Sequence, residues 1–119
     1  LENTPLSEAV IGVNAIWATP NRYVEHEPLI ELVRSCRGTR SYGSAAIELA
    51  YVSSGRMDAY MSMRLSPWDV AGGMVIASEV GAVSSTMKGE PLSLLGQETF
   101  IVAKPGLQQH ILKHHIRLK

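Results

Sequence analysis

Apolar and polar positions follow two periods along this chain, and the switches between them mark its elements. Residues 9–17 are almost continuously apolar, broken only by Gly12 and Asn14, the pattern of a strand buried on both faces of a sheet. After a turn at Thr19, Pro20 and Asn21, the residues Leu29, Ile30, Leu32, Val33 and Cys36 recur at helical spacing. With Pro28 in the first turn, they predict an amphipathic helix over 27–36 that Gly38 ends. A short extended piece at 39–42 leads through Gly43 into a second helix over 44–53, with Ser44 as N-cap and Gly55 as its stop. That helix is apolar around much of its circumference, at Ala45, Ala46, Ile47, Leu49, Ala50 and Val52, so it is expected to be buried.

Residues 57–63 alternate Met57, Ala59, Met61 and Met63 against Asp58, Tyr60 and Ser62, the period of a strand with two unlike faces. A helix start follows, with Ser66 as N-cap, Pro67 at the first helical position and Asp69 in the first turn, where a carboxylate meets the positive end of the dipole. This helix runs to about residue 80. Gly72 and Gly73 inside it point to close backbone packing, and Gly81 closes it. A short piece at 82–85, a turn at Lys88, Gly89, Glu90 and Pro91, a strand at 99–103, and a last amphipathic helix carrying Leu107, Ile111, Leu112 and Ile116 complete the chain. Strands and helices alternate, so the expected fold is α/β: a layered α/β/α arrangement with a mixed sheet covered by helices on both faces.

The chain has 119 residues, 45% of them hydrophobic, which suits one core, and no repeat, linker or low-complexity tract divides it. Eleven basic residues balance eleven acidic ones, so no net field recruits nucleic acid or an anionic membrane. No apolar run approaches the ~18 residues of a membrane span. The single Cys36 cannot form an internal disulfide, and the cytoplasm is the expected setting. The chain opens on Leu1 rather than methionine, which leads one to expect an upstream portion.

Two strand-to-helix junctions carry residues suited to an anion or a cation. At Gly43-Ser44-Ala45-Ala46, small side chains let a ligand approach the free N–H groups of a helix start. At Pro67-Trp68-Asp69, a carboxylate stands where a metal ligand could be held. A turn glycine with a capping serine, and a first-turn acid facing the dipole, account for the same residues without any ligand.

The segment Pro67-Trp68-Asp69-Val70-Ala71-Gly72-Gly73, followed by Glu79-Val80-Gly81-Ala82, closely resembles the second signature of the inositol monophosphatase family, a W-D-x-A-[AG]-G helix ending in E-x-G-[GA]. Arg40-Ser41-Tyr42-Gly43-Ser44-Ala45-Ala46 resembles that family's R-x-x-G-[ST]-A-A segment, and Gly55-Arg56-Met57-Asp58-Ala59-Tyr60 its G-x-x-D-A-Y strand. The likeness covers about residues 9–116 and implies the C-terminal domain of an inositol monophosphatase or sugar phosphatase fold, residues 1–119 forming that domain. It implies Mg²⁺-dependent hydrolysis of phosphate monoesters through an activated water. It makes Asp69 a ligand of a catalytic Mg²⁺ and Gly43, Ser44 and Ala45 the stretch that meets substrate.

Two departures qualify the likeness. Where many members carry a glutamate that binds a substrate hydroxyl, this chain has Ser62, and Arg64, two residues on, would face the same side of a continuing strand, either to meet a second anionic group or as a solvated rim charge. The family's G-E-E-type helix and D-P-[IL]-D-G-T segment are absent. Asp58 and Asp69 are the only aspartates and no two glutamates are adjacent, so the chain offers no multi-metal carboxylate cage and no catalytic base of its own. Asp58 reads as a strand-edge or turn acid. His110 and His114 have a zinc-compatible spacing, but with no third ligand nearby they read as an exposed polar face; His115 belongs to the same basic tail, and Cys36, Met57, Met61 and Met63 read as core.

The expected function is thus hydrolysis of inositol monophosphate or a related small ester once an N-terminal half is joined, the isolated chain being inert. A phosphatase for a sugar bisphosphate or nucleotide phosphate, and a non-catalytic dimerisation or interaction module, are the rivals. The missing half, a small phosphorylated substrate and a homodimer mate are the expected partners.

Overall fold

A computed structural model describes residues 4–13, 25–42, 44–65, 67–92 and 98–118, without the side chains of residues 26, 63–65, 67–70 and 98. Five strands form one mixed sheet: β1 (Val10–Gly12), β2 (Gly38–Arg40), β3 (Ala59–Leu65), β4 (Val83–Ser85) and β5 (Glu98–Ala103), in the order β2-β1-β3-β5-β4. β1 runs parallel to both β2 and β3, while β5 runs antiparallel to β3 and β4. The helices are α1 (His26–Ser35), α2 (Ala45–Ser53), α3 (Pro67–Glu79) and α4 (Pro105–His114).

The period-two pattern distributes the core over both faces of this sheet. Ile11, Ala59, Met61, Ile101 and Ala103 point to one face and pack with Leu29 and Leu32 of α1 and Leu107 and Ile111 of α4. Their chain neighbours Tyr60, Phe100 and Val102 point to the other and pack with Leu49 and Val52 of α2 and Ala77 of α3. Helices therefore cover both faces, as the alternation of strands and helices requires.

Caps and stops fall where the side chains dictate. Ser44 is extended and its hydroxyl accepts from the Ile47 N–H at the start of α2. Gly55 and Gly81 take the positive φ angles of 83° and 93° that end α2 and α3, which a side chain would resist. The paired glycines of α3 have unlike roles. A Cβ on Gly73 would stand 3.0 Å from Leu49 Cδ1, so this glycine lets α2 and α3 close together, whereas one on Gly72 would meet nothing within 4 Å.

Several expectations are corrected. α2 is not buried all round: Leu49 and Val52 are covered, but Ile47 is 44% exposed because the sheet and α3 shield only one side. The alternating segment at 57–63 becomes a strand only from Ala59, since the Met57 N–H is taken by the Tyr51 carbonyl that closes α2. Cys36 is not on the helix but caps its C-terminus, half-buried, with its thiol 3.4 Å from the Val33 carbonyl. His115 leaves the exposed tail and is buried against Pro28. Of the apolar run at 9–17, β1 accounts for Val10–Gly12, and residues 14–17 lie outside the described part.

Candidate active site

Because β1, β2 and β3 are parallel, their C-terminal ends lie at one edge of the sheet. The chain leaves β1 through α1 on one face and β3 through α3 on the other, and open α/β sheets bind ligands at the crevice such a divergence leaves. α2 starts just after β2, and α3 just after β3, so both helix starts belong to this edge. The contact of Gly73 with Leu49, in the second turn of each helix, keeps the two starts side by side.

At the start of α2, Ser44 and Ala45 are half-buried and Ala46 is exposed, so the helix end is open to solvent. The Ser44 hydroxyl meets the Ile47 N–H at a long 3.4 Å, and among the described residues the Ala45 and Ala46 N–H groups have no acceptor. Such a terminus presents donors and a positive dipole end to an anion. Gly43 lies outside the described residues.

Beneath this opening sits Glu48, only 4% exposed. Its Oε1 accepts from the Tyr42 N–H at 3.4 Å, tying the approach to α2 back to the second turn of the helix. Burial pushes its carboxyl above the ordinary value, against the smaller opposing effect of the Tyr42 N–H. Gly12 makes room for it: a Cβ there would lie 3.1 Å from Glu48 Oε1, 3.0 Å from Met57 Cε and 3.2 Å from Tyr60 Cδ1. Sequence reasoning passed over Glu48, although its spacing from Ala45, Leu49 and Val52 places it on the buried stripe.

Ser62 lies in β3 opposite Phe100, half-buried and hydrogen-bonded. Beyond it the ladder slips, since Ser62 pairs with Phe100 but Leu65 pairs with Glu98, leaving one extra residue on β3. The expectation that Arg64 shares the side of Ser62 assumed a regular ladder, and this stretch contains the irregularity. The Arg64 side chain lies outside the described residues. Asp69 is in the first turn of α3, as expected from Pro67, and its carboxylate is likewise outside the described part.

Asp58 is placed elsewhere, at the opposite edge. Its Oδ1 accepts from Lys104 Nζ at 2.6 Å and from the Thr4 hydroxyl at 3.0 Å, and its Oδ2 accepts from the Val10 N–H at 2.8 Å. Asp58 thus stands just before β3, as a strand-edge or turn acid would, and is also a buried ion-pair partner of Lys104. Burial would raise its pKa, but the hydrogen bonds from Lys104, Val10 and Thr4 outweigh that and hold it below the ordinary value.

A cleft of ≈ 290 Å³ lies beside α2, lined by Val10, Arg40, Tyr42, Tyr51, Arg56 and Met57. The Tyr42 and Tyr51 rings meet edge to face at 5.0 Å, and the Arg56 guanidinium stands 5.4 Å from the Tyr51 centroid. Among the described residues neither arginine meets a carboxylate, which leaves both available to an anion.

For a divalent metal, the described residues contain no group of three or more His, Cys, Asp or Glu that could hold one. Mg²⁺ wants six oxygens, so a single carboxylate could not form a whole site.

Comparison with known proteins places these features in context. The model of the inositol monophosphatase family matches residues 1–118. An inositol-1-monophosphatase of Bacillus subtilis (strain 168) is 43% identical over 119 residues, 100% of this chain and 45% of the relative. The crystal structure of inositol monophosphate-bound SaIMPase-II matches with a TM-score of 0.91 at 40% identity, covering 98% of this chain and 45% of that one. The 2'AMP-bound structure of SaIMPase-II gives the same TM-score of 0.91 at 40% identity, over 98% and 44%. The chain thus spans about half the length of the relatives it matches.

Proposed function

The chain belongs to the inositol monophosphatase family, and from that premise we propose that it forms the substrate-side edge of a Mg²⁺-dependent phosphate monoesterase. The observation that carries this reading is the open start of α2 beside the start of α3 at one sheet edge. In this account the Ala45 and Ala46 N–H groups, with Gly43 and the Ser44 hydroxyl, hold the phosphate or a neighbouring hydroxyl of a small ester. Asp69 would be one carboxylate ligand of Mg²⁺, and the bound ion would supply the charge that polarises the phosphoryl group and activates water. The remaining carboxylates belong to a part of the protein outside residues 1–119, so this chain alone is inert. Glu48, hidden behind Tyr42, shapes the α2 start without touching substrate.

Inositol monophosphate is the leading substrate, supported by the relatives' names. A sugar bisphosphate or nucleotide phosphate is the second reading, favoured by Ser62 in place of an acid and by Arg40 and Arg56 of the cleft, which among the described residues meet no carboxylate. The 2'AMP bound to SaIMPase-II fits that reading too. We place the protein in the cytoplasm as a homodimer. Among the described residues no helix is long and apolar enough to cross a membrane. Phosphate release from inositol monophosphate, sugar bisphosphates and nucleotide monophosphates, with and without Mg²⁺, tests the proposal on the full-length protein. Mg²⁺-dependent turnover is expected, and no turnover of any ester would reject it.

A further inference from the structure

Three imidazoles crowd together at the C-terminal end of α4. The His110 ring centroid lies 4.7 Å from that of His114 and 5.6 Å from that of His115. His110 and His114 are one helical turn apart and exposed, and among the described residues neither ring has a hydrogen bond or a carboxylate partner. His115 is buried, with Nδ1 3.2 Å from the Pro28 carbonyl, so it is anchored to the start of α1.

We propose that His110 and His114 chelate a borderline divalent transition metal, of the Zn²⁺, Ni²⁺ or Cu²⁺ class, at a site separate from the sheet edge that carries Asp69. Histidines at positions i and i+4 present their rings on one helix face, the arrangement by which a helix offers two nitrogens to zinc. With metal–nitrogen distances near ~2.1 Å, two imidazoles on one ion stand with centroids about 5 Å apart, so the observed 4.7 Å needs no movement of the helix. The ion sits at the C-terminal end of α4, where the helix dipole favours positive charge. His115 keeps its bond to Pro28 and walls one side of the pair. Among the described residues no three protein donors converge, so water completes the coordination. Imidazole selects this class of metal, while Mg²⁺ prefers oxygen, so the two sites do not compete for one ion.

Calorimetric titration of tag-free, metal-stripped protein with ZnCl₂ and with NiCl₂ tests the proposal, alongside His110→Gln and His114→Gln. Both histidines are exposed, so these variants are expected to fold, which circular dichroism checks. One ion should bind per chain and broaden the His110 and His114 ring resonances when it is Ni²⁺. Each histidine variant should bind at least about tenfold more weakly, since removing a ligand costs no less than removing an outer-shell partner. Absence of saturable binding at millimolar metal, or equal affinity in the parent and both histidine variants, would overturn it.

Discussion

The Asp58 carboxylate and the Lys104 ammonium, 46 residues apart in the chain, meet at 2.6 Å with little solvent around either. The pair joins the residue before β3 to the residue after β5, and the Val10 N–H and Thr4 hydroxyl complete the carboxylate's bonding. Four separate chain segments are thereby locked at the edge opposite the proposed site.

Removing one partner of such a pair strands the other. Asp58→Asn is expected to cost about 3–5 kcal/mol at neutral pH. The lowered folded pKa of Asp58 means the unfolded chain binds more protons in the window below its ordinary carboxylate value. The pair's contribution is therefore full above that value and is lost as pH falls through the folded one. Urea midpoints of the parent and Asp58→Asn measured against pH should converge in acid. A constant difference across the range would count against this.

Glu48 has the opposite sign. Its raised folded pKa means that the folded chain holds the extra proton, so this group's contribution is present below the ordinary carboxylate value and is lost as pH rises through the raised one. Glu48→Gln keeps an acceptor for the Tyr42 N–H and removes the buried charge. It is expected to melt no lower than the parent at pH 7.5 and to lose that advantage at pH 4, read from Tm values at both.

The glycine pair in α3 gives a stability test with opposite outcomes at adjacent residues. Gly73→Ala pushes a methyl into Leu49 and is expected to destabilise by about 1–3 kcal/mol. Gly72→Ala meets open space on an exposed helix position and is expected to stabilise by about 0.5–1 kcal/mol. Thermal denaturation of the two variants decides it.

What could be read in advance depended on how local the cause was. Ser44 as cap, Gly55 and Gly81 as stops and the two-faced alternation around Tyr60 are set by neighbours within a turn, and the structure agrees with them. The Asp58–Lys104 pair depends on two strands meeting across the fold, and nothing near Asp58 signals it. The bulge after Ser62 depends on the register against β5, which no residue near Ser62 signals. Glu48 was legible, because helical spacing alone sets it beside Leu49 and Val52 on the covered side. Gly43 and the side chains of Asp69 and Arg64 lie outside the described residues, so their roles rest on helix position and family likeness.

At the α2 start, inorganic phosphate added to the protein should shift the amide resonances of Ala45 and Ala46 more than those of Leu49 or Val52. Free donors at an open helix end motivate this. Unchanged Ala45 and Ala46 resonances at millimolar phosphate would remove the anion role of this terminus.

The most direct measurement of the central claim is Mg²⁺-dependent phosphate release from inositol monophosphate by the full-length protein and its Asp69→Asn variant. The substitution keeps the shape at the start of α3 but replaces a charged oxygen ligand by a neutral one. Loss of a contribution of several kcal/mol predicts a fall in kcat/KM of about 10²-fold or more, with an unchanged circular dichroism spectrum. Equal activity in the two proteins would contradict the assignment of this sheet edge to catalysis.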